Sequence, residues 1–456
     1  MLKWFVSVLF CPLVMNAQLN DSLFIKKMAD DIMTNGKAHD NLRYLTKQIG
    51  GRLAGSPQMT LAENWGLETM KAMGADEAFL QQCKVPAWNR GGQDKATVIN
   101  VNGKKQKRPL DILALGNSLG TGKKGIKATV LALASFNELE QRFAEVKGKI
   151  VYFNYGFIPS NIQPFRSYGD AGIYRRIGAS RAAKYGAVGV LIRSLTEATD
   201  NNPHTGVMSY NDSFPKIPAA ALGLQDADYL WATCKQNAAV QVILTTNGYF
   251  LPDATGHNVI GELKGSEFAN EFITVGGHLD SWDVNEGAQD DGAGVVQTME
   301  VLRALKAMNY VPKRTIRFVL FANEENGGRG GTMYAEAAGE KKEKHLFALE
   351  SDAGGFTPRG FGFTASAATL QKIMTWKDLL LPYGVYDLRQ GGGGADIGPL
   401  NRKFGTVLAG LSPDGQRYFD YHHARSDVFE NVNKRELHLG AVNMAALIYL
   451  VDKYGL

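Results

Sequence analysis

Side chains that bind metal recur in the second half of the chain, each directly after an apolar segment. In chain order they are His278, Asp280, Asp290, Glu324, Glu325, Asp352, His422 and His423. Imidazole and carboxylate groups are the ligands that zinc takes in catalytic sites. Two imidazoles and three carboxylates are enough for a pair of Zn²⁺ ions, and zinc lowers the pKa of a bound water toward neutrality. The pattern therefore predicts two zinc ions and hydrolytic chemistry.

The first cluster is His278-Leu279-Asp280, followed by Asp290. A carboxylate two residues beyond an imidazole can hold the second ring nitrogen and fix the tautomer of the ring. Asp290 lies at the predicted start of a helix, where exposed N–H groups favour an anion. Taken alone, Asp290 would be a helix cap on a surface turn. Beside the His-x-Asp pattern, a carboxylate that bridges two ions is the favoured interpretation.

Glu324-Glu325 follows the apolar segment 315–321. Adjacent carboxylates after a buried strand repel each other unless a cation is near. One of them can bind metal while the other takes the proton of the attacking water. A bare Glu-Glu pair in a solvated turn is the alternative interpretation.

The remaining candidates leave two choices open. Spacing alone does not decide between Glu350 and Asp352. Of the adjacent His422 and His423, we favour His423, because Asp427 follows four residues later and could orient its ring.

A run of glycines at 391–394 precedes Ala395 and Asp396. No Lys-Ser/Thr pair follows, which argues against a phosphate-binding loop. The segment is either a plain linker or a loop that lines a substrate cleft. In the second case Gly393, Gly394 and Asp396 are candidate substrate-binding residues.

The elements around these residues alternate between strand and helix. The segments 272–275, 315–321, 346–349 and 406–409 are short apolar runs typical of buried strands, and 293–308 and 437–454 have helical patterns. Such alternation predicts an α/β fold with a mixed, mostly parallel sheet flanked by helices. Ligands bind beyond the carboxyl ends of strands in such sheets, which is where His278, Glu324 and Asp352 come.

The chain divides into four predicted parts. Residues 1–17 resemble a signal peptide, with Lys3, an apolar stretch and a cleavage site near Ala17, so we expect a secreted or periplasmic protein. Residues 18–115 are the N-terminal part of the domain that carries the candidate metal ligands. Residues 116–252 are an inserted β-rich domain whose single histidine is His204, and residues 253–456 are the catalytic part.

Composition excludes several other classes of function. The 456 residues carry a formal charge of only +5 and no cluster of basic residues interleaved with aromatics, which argues against nucleic acid as a partner. Past the signal segment, no apolar run is long enough to span a membrane. Cys83 and Cys234 remain in the mature chain, either as one disulfide or as two buried thiols.

The motifs GGHLDSWD, GAQDDGAG, NEENGG, ESDAGG and YHHARSD, in this order, resemble the M28 family of dizinc exopeptidases. The inserted segment is similar to a protease-associated domain. The resemblance implies that His278, Asp290 and Asp352 hold one Zn²⁺ and that Asp290, Glu325 and His423 hold the other. It also implies that Glu324 is the general base, that Asp280 orients His278, that Asp290-Asp291 is a cis peptide, and that the protein is a homodimer.

Two positions depart from the family pattern. His422 stands where related carboxypeptidases have a tyrosine that stabilises the oxyanion, so a protonated or hydrogen-bond-donating His422 is a candidate for that role. The segment Gly327 to Gly331 also differs, which bears on substrate preference rather than on catalysis.

The expected activity is hydrolysis of dipeptides or short peptides with free termini. An aminopeptidase acting on longer peptides is the alternative within the same chemistry. A catalytically inactive binding protein on this fold is the alternative from another class, and the complete ligand set argues against it.

Overall fold

A computed structural model describes residues 12–236 and 239–456. The described residues form two sheets of eight strands each, with helices packed on both. The predicted signal peptide falls mostly on residues 1–11, outside the described residues. Residues 12–17 are the first turns of helix α1 (Pro12–Asn35).

The first sheet carries the metal-binding motifs. Its strands, in spatial order, are β1 (Glu77–Asn89), β10 (Tyr249–Leu263), β12 (Arg314–Phe321), β11 (Phe268–His278), β13 (Lys344–Glu350), β16 (Val407–Pro413), β14 (Pro358–Thr364) and β15 (Asp387–Gln390). The four strands β12, β11, β13 and β16 run parallel, and β14 pairs in parallel with β15. β1, β10 and β14 join the sheet through antiparallel pairs. The mixed α/β class is thus confirmed, with its parallel block at the centre.

Side chains of the central strands alternate between two cores. Phe318 and Leu320 of β12 lie in the larger core, whereas Val319 and Phe321 lie in a smaller core on the other face. The helices of this half are α1, α2 (Ala38–Tyr44), α3 (Pro57–Ala72), α7 (Ala293–Ala307), α8 (Arg329–Glu340), α9 (Ala367–Met374), α10 (Lys377–Leu380), α11 (Gly398–Phe404), α12 (Tyr418–Tyr421) and α13 (Lys434–Tyr454). Helices α7 and α13 supply the larger core, and α8 and α11 supply the smaller one.

The second sheet is built from the middle of the chain. Its strands, in spatial order, are β3 (Lys104–Leu110), β2 (Lys95–Val101), β9 (Val240–Thr245), β5 (Ile126–Leu133), β6 (Ile150–Phe153), β7 (Gly189–Arg193), β8 (Ala219–Leu222) and β4 (Ile112–Ala114). Helices α4 (Phe136–Gln141), α5 (Pro164–Ala183) and α6 (Leu224–Lys235) belong to the same region. Alternate residues of β6 face two cores, with Tyr174 of α5 in one and Leu230 of α6 in the other.

Local sequence explains several element ends. Ser56 caps α3 by accepting a hydrogen bond from the N–H of Met59 at 3.1 Å, and Pro57 occupies the first helical position. Asn433 caps α13 in the same way through the N–H groups of Arg435 and Glu436.

Two further sequence questions have structural answers. Cys83 and Cys234 are free thiols. Among the described residues, no helix combines the length and the hydropathy that a membrane crossing requires.

Candidate metal centre

The predicted ligands meet at the carboxyl ends of the parallel strands. His278 is the last residue of β11, Glu324 and Glu325 follow β12, and Asp352 follows β13. Because β11 pairs in parallel with both β12 and β13, these ends lie at one edge of the sheet. The position agrees with the rule that ligands bind there in open α/β sheets.

Asp290 lies between two groups of ligand atoms. Its Oδ1 lies 3.2 Å from Nε2 of His278, and Oδ1 of Asp352 lies 3.6 Å from the same nitrogen. Its Oδ2 lies 3.2 Å from Nε2 of His423, which is also 3.0 Å from Oε2 of Glu325. Each oxygen of one carboxylate therefore faces a separate group of donors.

These spacings match what metal ions require. Ligand atoms about 2.0–2.1 Å from a tetrahedral zinc ion lie about 3.4 Å from one another. The distances within both groups fall between 3.0 and 3.6 Å. Asp290 Oδ2 and Glu325 Oε1 are buried and have no hydrogen-bond partner among the described residues. The donor set therefore fits a pair of cations that share Asp290.

Buried negative charge also calls for cations. Asp280, Asp290, Glu325, Glu350 and Asp427 are all nearly inaccessible to solvent. Burial, followed by the charge of Asp290, raises the pKa of Glu325 to about 7. Burial, followed by the charge of Asp352, raises the pKa of Glu350 to about 8. Positive charge placed among these groups would offset the cost of burying them.

The geometry favours one residue in each of the two pairs that the sequence left open. Oε2 of Glu350 accepts a hydrogen bond from the N–H of Ile397, and Glu350 lies outside both groups of metal-binding atoms. Asp352 is therefore the ligand candidate. His423 contacts both Asp290 and Glu325, whereas His422 approaches only Asp290, with its Nε2 3.7 Å from Oδ2.

Asp427 does not orient His423 as expected. Its carboxylate instead accepts the N–H groups of Gln289 at 2.7 Å and of Asp290 at 3.2 Å. The ring Nδ1 of His423 faces the carbonyl of Thr205 at 3.3 Å. Four-residue spacing suggested the pairing because it places residues together on a helix, but α12 ends at Tyr421.

Asp280 holds His278 mainly through its backbone. Nδ1 of His278 lies 2.9 Å from the carbonyl oxygen of Asp280 and 3.8 Å from its carboxylate. The carboxylate accepts the N–H groups of Glu324 at 3.0 Å and of Glu325 at 3.2 Å. Asp280 thus connects the loop after β11 to the loop after β12.

Asp291 anchors the backbone next to the bridging carboxylate. The Asp290–Asp291 peptide is cis, as the resemblance implied. The carboxylate of Asp291 accepts the N–H of His278 at 3.0 Å and that of Gly294 at 3.0 Å, which ties β11 to the start of α7.

Glu324 opens onto the cavity beside the ligands. This cavity has a volume of about 180 Å³ and is lined by Phe165, Tyr168, Arg175, Val207, Asp290, Glu324, Glu325, Asp352, Tyr418, His422 and His423. Burial raises the pKa of Glu324 well above its ordinary range, and the charges of Asp352 and Glu325 act in the same direction. A carboxylate with a raised pKa is a stronger base, which suits proton transfer from water.

His422 stacks on His423 with ring centroids 3.5 Å apart. Burial, followed by the nearby His423, lowers the pKa of His422 well below its ordinary value. The ring of His422 is therefore neutral. A protonated His422 is disfavoured as the group that stabilises the oxyanion, and a neutral ring that donates a hydrogen bond remains the candidate. Tyr418 lines the same cavity, and burial keeps its pKa well above 10, so its hydroxyl also stays protonated.

The glycine loop is only partly available to a ligand. Gly391, Gly392 and Gly393 line a second cavity of about 450 Å³, which shares Phe165 and Asp352 with the first. Gly394 instead packs against Glu350, where a Cβ atom would lie 2.0 Å from the carboxyl carbon. The structure also places Asp396 behind the loop, only 1% exposed and outside both cavities, because its backbone packs against Gly331.

Comparison with known proteins identifies the family of the chain. The sequence model described as Peptidase family M28 matches residues 258–448. Carboxypeptidase Q of Bos taurus is 34% identical to this chain over 91% of the chain and 85% of its own length. The chain belongs to peptidase family M28. Carboxypeptidase Q of Homo sapiens is 33% identical to this M28 peptidase, also over 91% of the chain and 85% of the relative.

Solved structures show the same fold. A peptidase M28 precursor from Shewanella amazonensis superimposes with a TM-score of 0.89 and 31% identity, covering 95% of this chain and 96% of the other. A zinc aminopeptidase from Bacillus subtilis superimposes with a TM-score of 0.65 and 21% identity, covering 90% and 94%. The second likeness concerns the fold alone.

Sequence motifs did not reveal Tyr418 of α12 or four further residues that line the cavity of this M28 peptidase. Phe165, Tyr168 and Arg175 come from α5, and Val207 comes from the loop before β8. All four belong to the region of the second sheet, which carries no cluster of metal ligands in its sequence. No local pattern could have placed them beside His423, more than 200 residues away in the chain.

Proposed function

We propose that this chain is an exopeptidase with two zinc ions that hydrolyses dipeptides or short peptides with free termini. The observation that carries the proposal is the position of Asp290, whose two oxygens face two separate donor groups. His278, Asp290 and Asp352 would hold one ion, and Asp290, Glu325 and His423 the other. Zinc bound there would lower the pKa of water and polarise the substrate carbonyl.

The residues of the chain supply proton transfer and orientation. Glu324 faces the cavity and has a raised pKa, so it can take a proton from the attacking water and deliver it to the leaving amine. Asp280 accepts hydrogen bonds from the N–H groups of Glu324 and Glu325. These bonds fix the position of the proposed base, Glu324, relative to the proposed ligand, Glu325. A neutral His422 is placed to donate a hydrogen bond to the developing oxyanion.

Arg175 supports a substrate with a free carboxylate. It is 4% exposed, lines the cavity and forms no salt bridge within the described residues. Its NH2 group donates to the hydroxyl of Tyr168 at 2.7 Å, and its Nε has no partner in the described part of the chain. A buried cation without a carboxylate gains free energy when an anion reaches it. The C-terminal carboxylate of a short peptide is such an anion, and the carboxypeptidase relatives agree with this direction.

Three further properties belong to the proposal. The apolar N-terminal segment supports secretion after cleavage near Ala17. The second sheet, whose strands run from Lys95 to Thr245, supports an inserted domain of the protease-associated kind and favours a start earlier than the expected residue 116. The family likeness supports a homodimer.

Purified protein tests the proposal in three measurements. Elemental analysis should find two zinc ions per chain, and a chelator should abolish hydrolysis of a free dipeptide. The same dipeptide with an amidated C-terminus should be cleaved far more slowly. One ion or none per chain would contradict the two-zinc site.

The alternatives give other results. An aminopeptidase acting on longer peptides would cleave N-terminal chromogenic amides and C-terminally amidated peptides as fast as free dipeptides. A binding protein would hold peptide without cleaving it.

A further inference from the structure

Residues 204–206, in the region of the second sheet, contact the backbone of the two adjacent histidines. Nδ1 of His204 lies 2.7 Å from the carbonyl oxygen of His422. The N–H of Thr205 donates to the carbonyl of His423 at 3.1 Å. Nδ1 of His423 lies 3.3 Å from the carbonyl oxygen of Thr205. Three hydrogen bonds thus join this short segment, the clasp, to the loop that carries His423.

Strand ends of the second sheet hold the clasp in place. The hydroxyl of Ser194, directly after β7, accepts the N–H of His204 at 2.9 Å and donates to Leu222 at the end of β8 at 2.6 Å. The hydroxyl of Thr205 donates to the carbonyl of Ala114 at the end of β4 at 2.7 Å. The clasp is therefore a rigid extension of the sheet.

The backbone of His423 needs such support. Its φ is +63°, in the left-handed region that residues with a Cβ atom rarely adopt. The two clasp bonds to the carbonyls of His422 and His423 hold the chain in this conformation. The turn directs Nε2 toward Asp290 and Glu325.

The third bond sets the tautomer of the ring. A histidine that binds metal through Nε2 carries its proton on Nδ1, and a carbonyl opposite Nδ1 fixes that form. Arg175 NH1, 3.4 Å from Nδ1, is itself a donor and cannot take that proton. Thr205 is therefore the acceptor.

Gly206 leaves room for this arrangement. Its φ is +129°, and an added Cβ atom would lie 2.6 Å from Nδ1 of His423 and 2.5 Å from NH1 of Arg175. Any larger residue would push the ring away from the carbonyl of Thr205.

We propose that the clasp, residues 204–206, is a positioning element for His423 and sets the affinity of the ion bound by Asp290, Glu325 and His423. The ion bound by His278, Asp290 and Asp352 does not depend on it. This inference rests on the proposed two-zinc function. Through the clasp, the region of the second sheet influences how tightly zinc binds to Asp290, Glu325 and His423.

Zinc titration of the full chain in metal-buffered solutions, followed by elemental analysis, tests the proposal. Wild type should bind two ions tightly. His204→Ala and Gly206→Ala should keep one tight ion and bind the other about 10- to 100-fold more weakly, the range expected when a group that orients a ligand is lost. His204→Asn should recover most of the affinity, because its amide nitrogen lies at about the position of Nδ1 and can donate to the same carbonyl.

Gly103→Ala is the matched control. Gly103 has φ +80° and lies in the same sheet region, but no atom lies within 4 Å of an added Cβ, so both ions should bind as in wild type. Unchanged affinity for both ions in His204→Ala would overturn the proposal, as would an equal loss of both. The comparison of His204→Ala with His204→Asn tests the proposed role of the clasp even if Gly206→Ala does not fold. A wild-type chain that binds no zinc would instead refute the proposed function.

Discussion

Asp280 fixes the backbone of Glu324: its Oδ1 accepts the N–H of Glu324 at 3.0 Å, and its Oδ2 accepts the neighbouring N–H of Glu325 at 3.2 Å. One carboxylate thereby sets the position of the proposed base and of a proposed ligand. The carbonyl of the same residue faces Nδ1 of His278 at 2.9 Å. Asp280 is the point where the loops after β11 and β12 are joined.

Replacing Asp280 by Asn should therefore weaken both catalysis and metal binding. The amide can accept only one of the two N–H groups and turns a donor toward the other. We expect kcat to fall roughly 10- to 100-fold, and the affinity for one zinc ion to fall with it. Steady-state kinetics and zinc titration measure the two effects. Asp283→Asn is a suitable comparison, because this aspartate pairs with Arg90 at the surface. Normal zinc affinity in Asp280→Asn would contradict the assignment.

Glu324→Gln should separate catalysis from metal binding. The amide cannot take a proton, so kcat should fall about 10²- to 10⁴-fold. The zinc content should stay at the wild-type value, because Glu324 is not one of the proposed ligands. Glu340→Gln, an exposed position on α8, serves as control. If the Glu324→Gln variant keeps its rate, another group is the base.

Arg175→Gln should change substrate recognition more than turnover. Without the guanidinium, the KM for a free dipeptide should rise about 10- to 100-fold, in line with the loss of a buried charge-assisted contact. The same peptide with an amidated C-terminus should be affected little. Arg181→Gln lies on the same helix, where it pairs with Glu140 near the surface, and should leave both substrates unaffected. Equal losses on both substrates would mean that Arg175 has only a structural role.

Glu343 should contribute stability that disappears in acid. Burial alone would raise its pKa, but hydrogen bonds from His345 and Arg317 outweigh burial and lower it to about 2. Burial lowers the pKa of His345, so that ring is neutral near pH 7 and Arg317 is the charged partner. Because the folded pKa is depressed, the stabilisation is present above the unfolded pKa near 4.5 and is lost as the pH falls toward 2.

Urea unfolding of wild type and Glu343→Gln at several pH values measures this effect. The difference in free energy of unfolding should be about 2 kcal/mol near pH 7 and should shrink below about pH 4.5. A difference that stays constant between about pH 7 and about pH 3 would exclude the ion pair as its source.

The part of helix α1 beyond residue 17 should remain in the mature protein. Ile25, Met28 and Ile32 are fully buried in the larger core. Asp21, 1% exposed, accepts hydrogen bonds from Tyr449 and Lys453 of α13. Asp21→Ala should lower the free energy of unfolding by about 2 kcal/mol, because it leaves the half-buried ammonium of Lys453 and the hydroxyl of Tyr449 without their acceptor.

Asp30→Ala on the same helix is the control. It removes only an exposed pair with Lys26 and should leave the free energy of unfolding almost unchanged. Equal effects of the two substitutions would argue that α1 packs loosely and could be removed.

The candidate ligands could be chosen from the sequence because the relevant signal is local. His278, Glu325 and Asp352 each come at or just after the end of a recognisable strand, and parallel strands bring their carboxyl ends to one edge. His278, Asp290, Glu325, Asp352 and His423 all lie at that edge. Each carboxylate oxygen of Asp290 faces a separate group of candidate ligand atoms. This arrangement agrees with the expectation that Asp290 bridges two ions.

The contacts that orient these ligands could not be predicted, because they join distant segments and often use backbone atoms. Every residue has a carbonyl, so nothing in the sequence marks that of Thr205 as the acceptor for His423. The spacing of Asp427 from His423 suggested that the two would pair, but the turn at positive φ sends Asp427 to Gln289 and Asp290 instead. Arg175 is one of many basic residues until α5 brings it into the cavity.

The sequence by itself thus determined the candidate metal-binding side chains, their order and the α/β framework, since these depend on residue type and short-range periodicity. Only the tertiary structure decided which neighbour orients each ligand, that Asp352 rather than Glu350 faces His278, and that the second sheet reaches His423. Those outcomes depend on packing between segments that are far apart in the chain, for which the linear sequence carries no periodic signal.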